Sequence, residues 1–182
     1  MNLEELKIDI SKRSKKGMSF IAASIIIWCA VLIVRLLPIE DVMTRNLLTF
    51  CCTAPLMPIA YFVSKMIKAE FSIKGNPLNN LGLLFSLNQL MYILIAMWVY
   101  QAVPEKMVMV LAIIFGAHLL PFSWLYKSNA YKVMSIIISL SMFVVGIIYS
   151  GAVVAACMVV FEIIFLTWLI IENKQLNKSS EN

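Results

Sequence analysis

Four polar side chains lie inside stretches that are otherwise apolar: Asn88, Gln89, His118 and Glu162. Hydrocarbon offers such groups no hydrogen bonds, so each costs free energy and marks a functional candidate. Their types suit proton handling. A carboxyl beside an imidazole shares a proton or forms an ion pair, and the two titrate as a unit. Amides such as Asn88 and Gln89 serve either protonation state, because they both donate and accept. A proton or cation relay in a small transporter is the first chemistry this set allows. A membrane enzyme acting on a lipid through His118 and Glu162 is the second. A metal or haem on His118 is a third, but one His gives no axial pair and no further ligand stands at a recognisable spacing. No metal and no cofactor are therefore expected, and the sequence carries no catalytic signature. The reading without chemistry is interhelical glue, worth about 0.6 kcal/mol per hydrogen bond in membranes. A carboxyl is costly glue, since Ser, Thr or Asn would join helices more cheaply.

The elements that hold these residues follow from composition. Apolar residues make up 62% of the 182-residue chain and charged ones 14%, against roughly a quarter charged in an ordinary domain. One soluble domain has too little interior for that much apolar surface. A soluble enzyme is excluded, and an integral membrane protein is expected. A spanning helix needs about 20 apolar residues. Six stretches qualify: 18–37, 45–67, 79–101, 106–126, 131–149 and 152–171. Alternation at period two is absent, so the backbone polar groups must be paired within helices. Pro38 with Glu40 and Asp41, Lys74 to Pro77, and Pro104 to Lys106 break the chain between spans, as do Ser128-Asn129 and Ser150-Gly151. The expected fold is all-α, a six-helix transmembrane bundle over 18–172. Residues 1–17 are read as a basic tail or interfacial helix, and 173–182 as a disordered tail. The first span is too long for a cleaved signal and reads as an anchor.

Asn88, His118 and Glu162 each fall roughly 12–14 Å below one boundary of the bundle, at 1.5 Å per residue. A common depth favours joint burial. Pro55, Pro58 and Pro121 lie within the second and fourth spans and remove backbone donors; they can kink the helices and open space beside His118, although tolerated structural proline is the reading favoured. Residues 54–63 (APLMPIAYFV) and 117–126 (AHLLPFSWLY) also match in pattern, with Pro58 over Pro121. Thr167-Trp168-Leu169 continues the match against Ser123-Trp124-Leu125, which sets Glu162 opposite His118. Three related hairpins would produce this pattern.

Lysine and arginine set the orientation. With the N-terminus inside, the inner side holds Lys7, Lys12, Arg13, Lys15, Lys16, Lys65, Lys68, Lys74, Lys127, Lys132, Lys174 and Lys178. The outer side keeps Arg35, Arg45 and Lys106. Both termini are thus expected in the cytoplasm. The net charge of +5 is topological, and no nucleic-acid partner is expected. The expected partners are the lipid bilayer and, at the basic N-terminus, anionic headgroups; a homo-oligomer is left open. Arg35 is expected to reach headgroups or pair with Glu40 or Asp41. Cys29, Cys51, Cys52 and Cys157 lie in apolar stretches and read as small hydrophobes.

The run Pro104-Glu105-Lys106-Met107-Val108-Met109-Val110, continued by Gly116-Ala117-His118-Leu119-Leu120-Pro121, resembles an uncharacterised family of small multi-pass bacterial membrane proteins. Asn46-Leu47-Leu48-Thr49-Phe50, Asn76-Pro77-Leu78 and Asn88-Gln89 with Tyr92 share the resemblance. It covers most of the chain and implies a membrane fold and a bacterial cytoplasmic membrane. It implies no activity and no catalytic residue.

Overall fold

The computed structural model describes residues 1–178, and all six apolar stretches fold as helices long enough to cross a bilayer. Four spans are unbroken: α2 (Met18–Leu36), α5 (Leu78–Ala102), α8 (Asn129–Ile148) and α9 (Gly151–Lys178). The second span divides into α3 (Val42–Thr53) and α4 (Leu56–Met66), and the fourth into α6 (Met107–His118) and α7 (Leu120–Leu125). The prolines account for the divisions. Pro55 immediately precedes α4, Pro58 sits in its first turn, and Pro121 sits in the first turn of α7. First-turn donors have no partner within a helix, so proline forfeits no bond there. Both breaks fall at matching points of the sequence repeat, whereas α9 runs unbroken past Glu162. Of the tail expected to be disordered over 173–182, residues 173–178 instead continue α9, where Asn173 Nδ2 donates to Lys15 O at 3.1 Å and Leu169 O at 2.9 Å. The rest of that tail lies outside the described residues.

The bundle is built around α2, which packs on α9, α4 and α3, while α6 lies along α8. Trp28, Val31, Met142, Met158 and Phe165 meet in the core. Two glycines set the spacing of α6 and α8. A Cβ on Gly146 of α8 would lie 2.2 Å from Met109 Cγ and 2.5 Å from its Cβ. A Cβ on Gly116 of α6 would lie 2.9 Å from the backbone nitrogen of Ser139. Small residues permit this approach, which dispersion rewards in lipid.

Residues 1–17 form a docked helix rather than a loose tail. α1 (Leu3–Arg13) opens with a capping box between Asn2 and Glu5. It lies across the end of the bundle that carries the α4–α5 and α7–α8 joints. Ser11 Oγ sits 3.1 Å from Tyr126 O, Asn76 Nδ2 donates to Leu6 O at 2.8 Å, and Lys7 Nζ stands 3.7 Å above the Trp124 ring. Lys15, Lys16 and Gly17 then turn the chain into α2 with φ of 50°, 52° and 67°. This left-handed run disfavours side chains. It is held by Lys15 Nζ on Ile67 O, by Lys16 Nζ on Glu172 Oε2 at 2.7 Å, and by Tyr131 Oη on Lys16 O at 2.9 Å. Gly17 is required, because a Cβ there would also crowd Tyr131 Oη at 3.0 Å. Most of the basic cluster is thus engaged within the protein.

The outermost clamp on α1 is Arg13, whose Nε and Nη2 donate to Glu70 at 2.8 and 2.6 Å. That hydrogen bond holds the Glu70 carboxyl below the usual carboxylate range, and Lys127 does the same to Glu4. A depressed folded value means the stabilisation is present above the unfolded value and lost as pH falls through the folded one. Both pairs are solvent-accessible, so the effect is small. Hydrogen exchange of the α1 amides is expected to rise about two- to five-fold, beyond the intrinsic trend, as pH falls from 6 to 3. Glu70→Gln should raise exchange at pH 6 and flatten that dependence; an unchanged profile would show that the pair does not hold α1.

Candidate functional site

On α2, Ser24, Ile27, Trp28 and Val31 recur at helical spacing and so share one face. That face does not close fully on its neighbours. With Thr49, Phe50 and Thr53 of α3, Leu56 of α4, Gln89, Leu90 and Ile93 of α5, and Leu111, Ile114 and Phe115 of α6, it encloses a cavity of about 180 Å³. The walls are mainly apolar. An apolar cavity of this order stays dry and admits apolar guests. Its α5 wall is thin, for α5 buries least of the six spans. α5 is tied to α3 near the far end, the end with the α2–α3, α5–α6 and α8–α9 joints. There Phe50 meets Tyr100 at 6.1 Å, and Tyr100 Oη donates to Met43 O at 3.2 Å.

Both helix breaks touch this chamber. Thr53 and Leu56 flank the α3–α4 division, and Ile114 and Phe115 lie just before the end of α6. The helices divided at the prolines thus border a cavity, but His118 is not among its lining residues. Its Nδ1 lies 2.5 Å from Phe115 O. A carbonyl only accepts, so Nδ1 carries the proton in that contact. The imidazole sits edge-on to Phe115 at 5.3 Å and to Phe122 at 6.1 Å.

Glu162 is fully buried on α9, where its Oε2 lies 2.5 Å from Ser24 Oγ. Its Oε1 is buried without a hydrogen-bond partner among the described residues. Ser24 Oγ lies also 2.8 Å from Ile21 O. A hydroxyl has one proton to give. If the carboxyl is protonated, it donates to Ser24 while Ser24 donates to Ile21. If it is ionised, Ser24 must turn its proton toward Glu162 and release Ile21. The hydroxyl that lines the chamber therefore reorients with the proton on Glu162.

The structure does not draw the four polar residues into one group. Gln89 lines the chamber with Ser24, which links it spatially to Glu162. Asn88 faces away, exposed, with Nδ2 donating to Tyr92 Oη at 2.9 Å. No hydrogen bond joins any two of the four among the described residues. No group of three or more His, Cys, Asp or Glu side chains that could hold a metal occurs among them either.

Sequence reasoning did not single out Ser24, and it met Asn46 and Thr49 only within a run that carries the family resemblance, with no role given to them. Arg35 Nη2 donates to Asn46 Oδ1 at 2.5 Å and Thr49 Oγ1 at 3.1 Å, and Asn46 Nδ2 donates to Pro104 O at 2.9 Å. The expected pairing of Arg35 with Glu40 or Asp41 is not what forms. Asp41 instead caps α3, accepting from Thr44 N at 2.7 Å and Met43 N at 3.4 Å. Unpaired N–H groups at a helix start are partners an aspartate satisfies locally. Polar residues at helical spacing on α3 were the available sign of Arg35's true partners.

Comparison with curated proteins found no match, and comparison with solved structures found none. The model of DUF7010, a family of unknown function, matches residues 3–172, and the chain belongs to that family.

Proposed function

We propose that the protein is a small proton-coupled carrier. Its intramembrane chamber takes an apolar or amphiphilic guest, Glu162 carries the proton, and Ser24 conveys the proton state to the guest. The charge distribution favours a cytoplasmic-membrane orientation with both termini inside and the far end of the bundle outside. The observation that carries this reading is the single hydroxyl of Ser24, shared between the chamber wall and a buried carboxyl whose second oxygen has no partner. Helices broken beside the chamber support it, since divided spans mark substrate sites in many transporters. His118 and Asn88 play no direct part, and Gln89 offers the guest a polar contact.

A lipid-modifying enzyme is the second reading, because Ser24 with Glu162 behind it has the form of a nucleophile and base. Such a base needs a third group to orient it and donors for the developing oxyanion. The orphaned Oε1 of Glu162 speaks against the first requirement.

Trp28 lines the chamber yet is only 6% exposed, so it reports a chain inside rather than the surrounding lipid. A form keeping Trp28 alone, with Trp98, Trp124 and Trp168 replaced by Phe, is placed in nanodiscs containing dibrominated phosphatidylcholine. Bromine on an acyl chain within the chamber is expected to quench Trp28, with an extent that changes along a single-proton titration. Glu162→Gln should keep the fold and remove the pH dependence. Absence of quenching at every pH would overturn the chamber reading. Quenching with the same pH dependence in Glu162→Gln would overturn the role of Glu162. Release of a fatty acid from the lipid, lost in Ser24→Ala, would establish the enzyme instead.

A further inference from the structure

Three buried side-chain atoms lack a hydrogen-bond partner among the described residues: Glu162 Oε1, Arg35 Nε and Arg45 Nε. Glu162 stands behind Ser24 of the chamber wall. Arg35 stands behind Thr49 of that wall, to which its Nη2 donates. Arg35 continues the α2 face of Ser24, Ile27, Trp28 and Val31 at the next helical step, roughly 16 Å from Ser24 along the axis at 1.5 Å per residue. Arg45 precedes Thr49 by one turn of α3, and Thr49 Oγ1 donates to Arg45 O at 3.0 Å. Thr49 Oγ1 thus joins both arginines, accepting from Arg35 Nη2 and donating to the Arg45 carbonyl.

Like charges seldom sit together in a membrane protein without something between them. Glu105 is within reach of Arg35, but neither arginine makes an ion pair with a carboxylate among the described residues. Asp41, the nearest acid in sequence to Arg45, is occupied by the start of α3. An arginine that merely snorkels turns its head to the water and keeps all its N–H groups wet. Arg35 does the opposite. Its Cδ lies 3.7 Å from where a Cβ on Gly151 would stand, its Nη2 crosses to Asn46 and Thr49, and its Nε is enclosed. Guanidinium groups recognise oxyanions through paired N–H donors.

We infer that Arg35 and Arg45 form an oxyanion site beside the Thr49 wall of the chamber, so the guest is an amphiphile bearing a phosphate or carboxylate group. This rests on the chamber reading above and adds the substrate class to it. The apolar walls take the chain, the arginine pair takes the headgroup, and Ser24 with Glu162 lies beyond the chain.

The single-Trp28 form separates the two ideas. In nanodiscs doped with either dibrominated phosphatidylglycerol or dibrominated phosphatidylcholine, the anionic lipid is expected to reach half-maximal quenching at a mole fraction about ten-fold lower. Arg45→Gln, which removes one cation and no side-chain hydrogen bond shown here, should abolish that preference. Arg35→Gln keeps an amide donor on a shorter side chain and should do the same. Melting temperatures near the native value establish that both variants fold. Equal quenching by the two lipids overturns the oxyanion site and leaves the chamber standing. A preference that survives both substitutions also overturns it, since the selectivity then arises elsewhere. Inorganic phosphate distinguishes the source of the anion. Competition by millimolar phosphate at constant ionic strength, lost in Arg45→Gln, shows that the pair also takes a free oxyanion. No competition together with a phosphatidylglycerol preference assigns the site to the lipid headgroup. If no chain quenches Trp28, the chamber falls, and the arginine pair stands only if phosphate raises the melting temperature of the native protein and not that of Arg45→Gln.

Discussion

Gly146→Ala should lower the stability of the folded protein by about 3 kcal/mol, the upper part of the range for overpacking a tight contact. Alanine is the better helix former by about 1 kcal/mol, so the loss must come from packing. The obstacle is Met109 Cβ and Cγ at 2.5 and 2.2 Å from the added methyl group. A Cβ is fixed to its backbone, so rotating the Met109 side chain does not clear the clash. α6 has to move from α8, which carries Leu111, Ile114 and Phe115 away from their places in the chamber wall. Unfolding in a denaturing detergent series measures the loss. Met109→Ala in the same background removes Cγ and should recover part of it, as neighbouring sites couple. Native stability in Gly146→Ala would show that the two helices have slack at this crossing.

Glu162→Met should do the reverse for stability and the worst for function. Methionine has nearly the same length and shape and no polar atom to satisfy. The variant removes a fully buried carboxyl with one unpartnered oxygen. Ser24 loses nothing, since Ile21 O remains at 2.8 Å to take its proton. A gain of about 1–3 kcal/mol follows from relieving the unsatisfied group. Any pH dependence of chamber occupancy should vanish together with the titrating group. A more stable but uncoupled protein is the usual mark of a residue kept for activity. If Glu162→Met instead unfolds the protein, the carboxyl is structural, and the proton-carrying role is lost with it.

Six spans were legible because each is a long apolar run between charges and breakers, and a bilayer allows few other solutions. The divisions of the second and fourth spans were half legible. Pro55, Pro58 and Pro121 announced a disturbance, but not that each would sit at the start of a new helix. The polar set was legible in depth and not in direction. Counting residues along a helix gives the axial position of Asn88, His118 and Glu162. It does not give the face when nearly every position around the helix is apolar. Asn88 accordingly turns outward to Tyr92, His118 turns to Phe115, and Glu162 finds Ser24, a residue 138 positions away in the chain. Serine is common in spans and carries no sign of such a partner. The acid pairing expected of Arg35 failed for a different reason. Glu40 and Asp41 were the nearest opposite charges in sequence, but the first-turn amides of α3 took Asp41.

The docking of α1 has a consequence for biosynthesis. Residues 7–16 leave the ribosome long before most of what they bind. Lys16 finds Glu172 across 156 positions, and Ser11 finds Tyr126 O across 115. At about 5–20 residues per second, the wait for Glu172 is roughly 10–30 s. During that interval the left-handed turn at Lys15 to Gly17 has no support from α9, although Glu70 and Asn76 are already present to engage α1. The turn into α2 is therefore secured only with the arrival of α9, well after the partners of α1 itself, Glu70, Asn76 and Tyr126, have been made.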